Sequence, residues 1–308
     1  MKYLSVLFAL LVSFFSRAQQ EAPFPEGTRR ILFLGNSITY AGIYVTDIET
    51  WFIVHFPKEH FEFINVGLPS ETVSGLSEPG HAGGRFPRPD LHERLGRVLA
   101  QVKPDVVFAC YGMNDGIYMP FDEGRFAAYR EGIRWLHWEL VNCGAKRIIH
   151  LTPPVHDDKK LGTKGYNLVL DKYSEWLLAQ RDSLKWEVGD IHFPMTRFLE
   201  EKRASDSSFI LAKDGVHPGE LGHWLMARAV LSYLGEPVAD APDILSTLTV
   251  NPHGAEIYAL VSKRQAIMKD AWLKLTGFKR PDMPVGMDMD EAMKQYKEIE
   301  GRIRAMLQ

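Results

Sequence analysis

Apolar runs and helical periodicities alternate along this chain. Short stretches dense in aliphatic and aromatic residues occupy positions 30–34, 61–66, 105–110 and 147–151, with a weaker one at 186–190. Between them apolar side chains recur at helical spacing: Tyr44, Ile48, Trp51 and Phe52, then Leu91, Leu95, Val98 and Leu99. The same spacing returns in Phe126, Tyr129, Ile133, Leu136 and Leu140, and in Tyr166, Val169, Tyr173, Trp176 and Leu177. Strands alternating with helices predict a parallel sheet covered on both faces. Aromatic stripes at this spacing read as core. Leu221, Leu225 and Ala229, each four residues from the last, predict a further helix opened by Pro218, whose fixed φ suits a first helical position.

Beyond Gly235 the pattern changes. Asn251-Pro252 opens a helix with Ile257, Leu260, Val261, Arg264, Met268, Ala271 and Trp272 along one side. After a stretch rich in Gly, Pro and Met (277–287), a last amphipathic helix is predicted over about 288–307. These helices read as an appendage packed on the sheet domain, with dimerisation or partner docking as the alternative. At the other end, Lys2, an apolar stretch over 4–15 and Ser16-Arg17-Ala18 have the form of a secretory signal peptide cut after Ala18. That stretch is too short to span a bilayer, and no cysteine near the cut offers a lipid attachment. The expectation is a secreted or periplasmic protein with no stable membrane anchor.

A chain of 308 residues, 45% hydrophobic and 24% charged, has the composition of an ordinary globular protein with one large core. With 36 Lys+Arg against 39 Asp+Glu and no basic stripe, nothing points to nucleic acid. Cys110 ends one predicted strand and Cys143 precedes the amino end of the next, so the two are expected to be too far apart to bridge, as buried free thiols.

Candidate chemistry lies where the runs end. The first closes on Gly35-Asn36-Ser37, a strand-to-helix turn that exposes a serine Oγ beside free helical N–H groups and makes Ser37 a candidate nucleophile. Asp214-Gly215-Val216-His217 puts an acid three residues before a histidine, a spacing that lets Asp214 reach Nδ1 while Nε2 points outward as a general base. Asn65-Val66-Gly67 and Gly112-Met113-Asn114-Asp115 close two further runs. Gly67, through a backbone N–H, and Asn114, through a side-chain amide, suit an oxyanion hole, while Asp115 suits support of the Asn114 turn.

In order, the contexts GNSIT, NVG, GMND and DGVHP resemble the four blocks of the SGNH hydrolases, the GDSL family, over about residues 29–234. Asn36 stands where the family name has Asp. The resemblance implies an α/β fold, a flavodoxin-like three-layer α/β/α sandwich on a five-stranded parallel sheet, here with a C-terminal helical appendage. It divides the chain into a signal peptide (1–18), the hydrolase domain (19–235) and the extension (236–308). It implies a serine esterase with Ser37, Asp214 and His217 catalytic, the oxyanion held by the N–H groups of Ser37 and Gly67 and the amide of Asn114, and neither metal nor organic cofactor.

Specificity is expected to come from loops over the catalytic edge, 70–89 with Arg85 and Arg88, and Tyr118-Met119-Pro120. Exposed aromatics and arginines suit sugars, and exported members of the family commonly deacetylate polysaccharides, so the resemblance points to a carbohydrate O-acetylesterase. The arginines tying the loop down is the equal alternative. A lipase or thioesterase for longer chains and a non-catalytic carbohydrate-binding protein remain open, as does the oligomeric state. His156-Asp157-Asp158 either forms a solvated loop, lines the pocket or suggests a metal site, and the remaining histidines lack ligand spacing, so no metal is assigned.

Overall fold

The inner strand β1 (Arg30–Gly35) is apolar at successive positions because helices cover both of its faces. The computed structural model describes residues 22–158 and 160–308, and the signal peptide expected over 1–18 lies outside them. With β2 (Glu62–Asn65), β3 (Val106–Cys110), β4 (Arg147–Leu151) and β5 (Glu187–Gly189), β1 forms an all-parallel sheet in the order β2-β1-β3-β4-β5. The register sets Gly35 beside Cys110 and Cys110 beside Leu151, so the loops after β1, β3 and β4 leave from one level of the sheet. The order reverses between β1 and β3, the switch point where open α/β sheets leave a crevice at their carboxyl edge.

The helices are α1 (Ser37–Ala41), α2 (Ile43–His55), α3 (Leu95–Val102), α4 (Glu123–Asn142), α5 (Asn167–Ser183), α6 (His192–Ser205), α7 (Glu220–Tyr233), α8 (Ile244–Thr247), α9 (Gly254–Thr276) and α10 (Met289–Met306). Right-handed crossovers put α2, which steps from β1 to β2, on one face, and the helices that step the other way on the opposite face. Accordingly α2 packs against α7, while α4 and α5 meet through the stacked rings of Tyr129 and Tyr173, 4.3 Å apart. The result is the three-layer sandwich expected.

Past the sheet, α9 lies on α2 and β2, and α10 lies on α9. The Arg264 that the helical stripe placed among apolar residues is buried as an ion: its Nη2 stands 2.7 Å from Glu49 Oε1, and its Nη1 pairs with Glu300. Next to it Gln265 Nε2 donates to Glu49 Oε2 at 2.6 Å and to the carbonyl of Phe63 at 2.9 Å. This network fixes the register of α9 on the sandwich.

Two expectations fail locally. Pro218 is not a first helical position: it is bridged to Ala212, the Gly219 N–H donates to Leu211 O at 2.9 Å, and α7 begins only at Glu220. The buried face therefore includes His223 and Met226, and Leu221 is turned to solvent. Cys110 and Cys143 are unbridged, but only Cys110 is buried, because Cys143 sits at the exposed end of α4. Among the described residues no helix is long and apolar enough to cross a membrane.

Candidate active site

Ser37 opens α1 directly after β1, and the turn is possible because two glycines let backbones touch. A Cβ on Gly35 would lie 2.2 Å from Thr39 Oγ1 and 2.9 Å from Cys110 O, and one on Gly67 would lie 2.4 Å from the Tyr40 nitrogen. Asn36 caps the helix, its side chain accepting from the Ile38 N–H at 3.3 Å, so the amide in place of a carboxylate still closes the turn. Gly42, with φ +80°, ends α1 and admits α2.

His217 meets the serine from the far end of the sheet. Its Nε2 is 2.8 Å from Ser37 Oγ, and its Nδ1 is 2.6 Å from Asp214 Oδ2. The other oxygen of Asp214 accepts from the backbone N–H groups of Val216 (2.9 Å) and His217 (2.8 Å). Burial pushes the Asp214 carboxyl up, but the hydrogen bonds from the His217 side chain and from these N–H groups outweigh it, and the group ends at about 2. An ionised carboxylate fixes which imidazole nitrogen carries the proton and leaves Nε2 free to accept one from Oγ.

The loop carrying this pair is anchored from below by Asp157, which spacing alone left as a solvated or ligand loop. Asp157 is fully buried; its Oδ2 accepts from the N–H groups of Leu211 (2.6 Å) and Ala212 (3.0 Å), and its Oδ1 pairs with Arg203. The Asp157 N–H in turn donates to Gly215 O at 2.7 Å. Among the described residues no three His, Cys, Asp or Glu side chains converge as a metal site.

Asn114 stands on the turn after β3 with its amide held at both ends. Nδ2 donates to Glu71 O at 3.0 Å, which leaves its second hydrogen, and Oδ1 accepts from the Tyr118 hydroxyl at 3.0 Å. Asp115 supports this turn as expected, accepting from the N–H groups of Gly112, Val73 and Ser74, each at 2.9 Å. Gly67 departs from expectation: its N–H donates to Asn65 Oδ1 at 2.9 Å, so in this conformation it serves close packing on α1 and is not offered to a ligand. Sequence spacing also gave no sign of Glu71 and Arg94, a fully buried bidentate pair joined by the Tyr111 hydroxyl. Arg94 also donates to Val66 O at 2.8 Å and so pins the segment before Gly67.

Of the three residues expected to touch substrate, two are spoken for. Arg88 is buried and bidentate on Glu78, at 2.7 and 2.8 Å, so it ties the 70–89 loop to itself. Tyr118 orients Asn114, and its ring lies 5.4 Å from the Arg88 guanidinium. Arg85 is two-thirds exposed and pairs with Asp282 at 2.7 Å, a link to the C-terminal extension. Beside His217 a depression of about 500 Å³ is lined by Ile210, Leu211, Lys213 and Leu221 among others. A larger one, about 1280 Å³, lies at the amino edge of the sheet against Phe24, Trp51 and Phe61, away from the serine and histidine, and has no part in this chemistry.

Fold and site together define a carboxylic ester hydrolase. The model of the GDSL-like lipase/acylhydrolase family matches residues 33–225, and the chain belongs to that family. Solved structures with this fold include a gut microbial diltiazem-metabolizing enzyme, 24% identical with a TM-score of 0.56. That alignment covers 70% of this chain but only 48% of the other, so the chain spans about half of that protein's length. They also include Axe2, an acetylxylan esterase from Geobacillus stearothermophilus, 23% identical over 70% of this chain and 97% of that one, TM-score 0.53. No curated protein matches the chain in sequence.

Proposed function

We propose that the protein is an exported esterase that removes short acyl groups, acetyl first among them, from carbohydrate. The observation that carries the catalytic part is the unbroken chain from Ser37 Oγ through His217 to Asp214, at 2.8 and 2.6 Å. In this reading Oγ attacks the ester carbonyl carbon as its proton passes to Nε2. The tetrahedral oxyanion is met by the Ser37 N–H and the free hydrogen of the Asn114 amide, each donor lowering the barrier by about 3 kcal/mol. Collapse breaks the bond to the alkoxy oxygen, which takes the proton from His217 and leaves as the alcohol. Water, deprotonated by the same imidazole, then releases the acid and restores Ser37.

Support for the substrate is of two kinds. The His217 and Asp214 side chains are about half exposed, an open site that suits a short acyl group on a bulky polymer. Axe2, whose fold the chain shares, is by name an acetylxylan esterase. A longer acyl chain is the second reading, favoured by exposed Ile210 and Leu221 at the depression beside His217. Hydrolysis rates across p-nitrophenyl esters from C2 to C12 decide: a maximum at acetate supports the first, a maximum at C8 or beyond the second, and no turnover refutes both. Export rests on the form of residues 1–18, and amino-terminal sequencing of protein from the culture medium or periplasm should begin at Gln19. A start at Met1 in that fraction refutes the leader. The division into a hydrolase domain (19–235) and a helical extension (236–308) belongs to the same proposal.

A further inference from the structure

The turn that presents Ser37 is held by the C-terminal extension, outside the residues that define the family. The helix α1 has only five residues, so its last carbonyls have no partner within it. Two side chains from elsewhere supply them. Asn65 Nδ2, at the end of β2, donates to Thr39 O at 2.6 Å, and Lys269 Nζ, on α9, donates to Tyr40 O at 3.0 Å.

Tyr40 follows Ser37 by one helical turn and is gripped at three points by two consecutive residues of α9. Its carbonyl takes the Lys269 hydrogen bond, its ring face lies 3.8 Å from the same ammonium, and its hydroxyl donates to Asp270 Oδ1 at 3.3 Å. Lys269 is itself largely buried, and a desolvated ammonium at the carboxyl end of a helix interacts more strongly with that end's partial negative charge than one in water. Nor is α9 free to drift, because Arg264 and Gln265, one turn earlier, are locked to Glu49 and Phe63. From the outer side the backbone at Gly286 presses on Asp270, where a Cβ would lie 2.1 Å from the Asp270 carbonyl.

We propose that Lys269 and Asp270 are positioning residues for the reaction: they clamp Tyr40 and thereby hold Ser37 Oγ at its hydrogen-bonding distance from His217. The family fold supplies the serine, and this chain's own extension fixes where it stands. The inference rests on the reading of Ser37 as nucleophile. Misplacing a reacting atom by about 1 Å costs up to about a hundredfold in rate, so a smaller displacement of Ser37 suffices for the loss expected below.

The test is steady-state kinetics on p-nitrophenyl acetate, well below the melting temperature, with the rate of Ser37 labelling by a phosphonofluoridate. Lys269→Met should lower kcat and kcat/KM together by about tenfold with KM unchanged, the mark of an interaction that matters in the transition state. Labelling should slow in parallel, and Lys269→Arg should recover activity to within about threefold of the parent. Met268→Ala, which opens a cavity in the same helix, should lower the melting temperature and leave kcat as it was. Should Lys269→Met not fold, Tyr40→Phe takes its place, with an expected two- to threefold loss in kcat. Parental kcat in the variant that folds, or an equal loss in Met268→Ala, overturns the inference and leaves the reading of Ser37 intact. A parent that neither turns over the ester nor takes the label at Ser37 overturns both.

Discussion

The nucleophile turn and the loop that brings it a base are built in opposite ways. Ser37 follows a strand with neighbours on both sides, and two glycine contacts and an Asn cap leave its turn little room to move. Asp214 and His217 follow α6 on an exposed loop whose backbone is held from beneath by one buried carboxylate, Asp157. Half of the chemistry is thus placed by sheet topology and the clamp on Tyr40, and half by a loop that rests on Asp157 and on the bridge from Pro218 to Ala212. The second half is the more fragile.

Removing the chemistry itself should give the largest effects and treat the two regions alike. Ser37→Ala and His217→Ala should each lower kcat/KM for p-nitrophenyl acetate by at least about a thousandfold while the circular dichroism spectrum stays that of the parent, because the two groups act as one unit. A His217 variant that kept most of its activity would show that the loop contributes no base.

The regions should part company when their supports are cut. Asp157→Asn leaves Arg203 and two backbone N–H groups without their anion, and breaking a buried pair from one side destabilises by about 3–5 kcal/mol. Activity at a temperature where the variant remains folded should drop about thirtyfold, since the imidazole loses its footing while the serine does not. Unaltered kcat in a destabilised Asp157→Asn would mean that the loop stands without its anchor.

Smaller still should be the effect of Tyr118→Phe. The Asn114 amide loses one of two tethers and keeps the other, so kcat should decrease about three- to fivefold with no change in the preferred chain length. A shift in chain-length preference would return Tyr118 to the substrate contacts.

The gentlest probe is pH. Asp47 on α2 is buried beside Tyr258 and near Glu220, at the start of the helix that follows the histidine loop, and burial pushes its carboxyl from 3.8 to about 7. The folded state therefore keeps a proton that the unfolded state gives up near 4, and stability falls as pH climbs from about 4 through about 7. Asp47→Asn cannot ionise, so its melting temperature should gain on the parent's between pH 5 and pH 8. A variant melting temperature that falls relative to the parent's over that range refutes the assignment.

Much of this was legible in the chain. The five strands fall within a residue or two of the apolar runs at 30–34, 61–66, 105–110, 147–151 and 186–190, because strands covered on both faces must be apolar throughout. Ser37, Asn114, Asp214 and His217 were found at strand ends and in short motifs, where local spacing dictates what can meet. What escaped was polar and long-range. Asp157 meets the Leu211 nitrogen across 54 residues, and Glu71 meets Arg94 across 23, and no periodicity marks such partners. For Arg88 a ligand contact and a tie within the loop stood as equal alternatives, because a sequence does not show that Glu78, ten residues away, takes both arms of its guanidinium. The start of α7 was misplaced for a related reason: a backbone bridge from Pro218 to Ala212 overrode the local preference of proline for a first helical turn.

The pairing of Glu49 with Arg264 bears on the order in which the protein comes into being. The carboxylate emerges from the ribosome with α2, and its cation follows 215 residues later. Until then the helix that lies on α2 and carries both partners of Glu49, Arg264 and Gln265, has not been made. Such distant pairings slow folding, because a long loop must close before they form. The sheet domain is therefore made before the helices that carry the partners of Glu49, and α9 and α10 complete that network only after it.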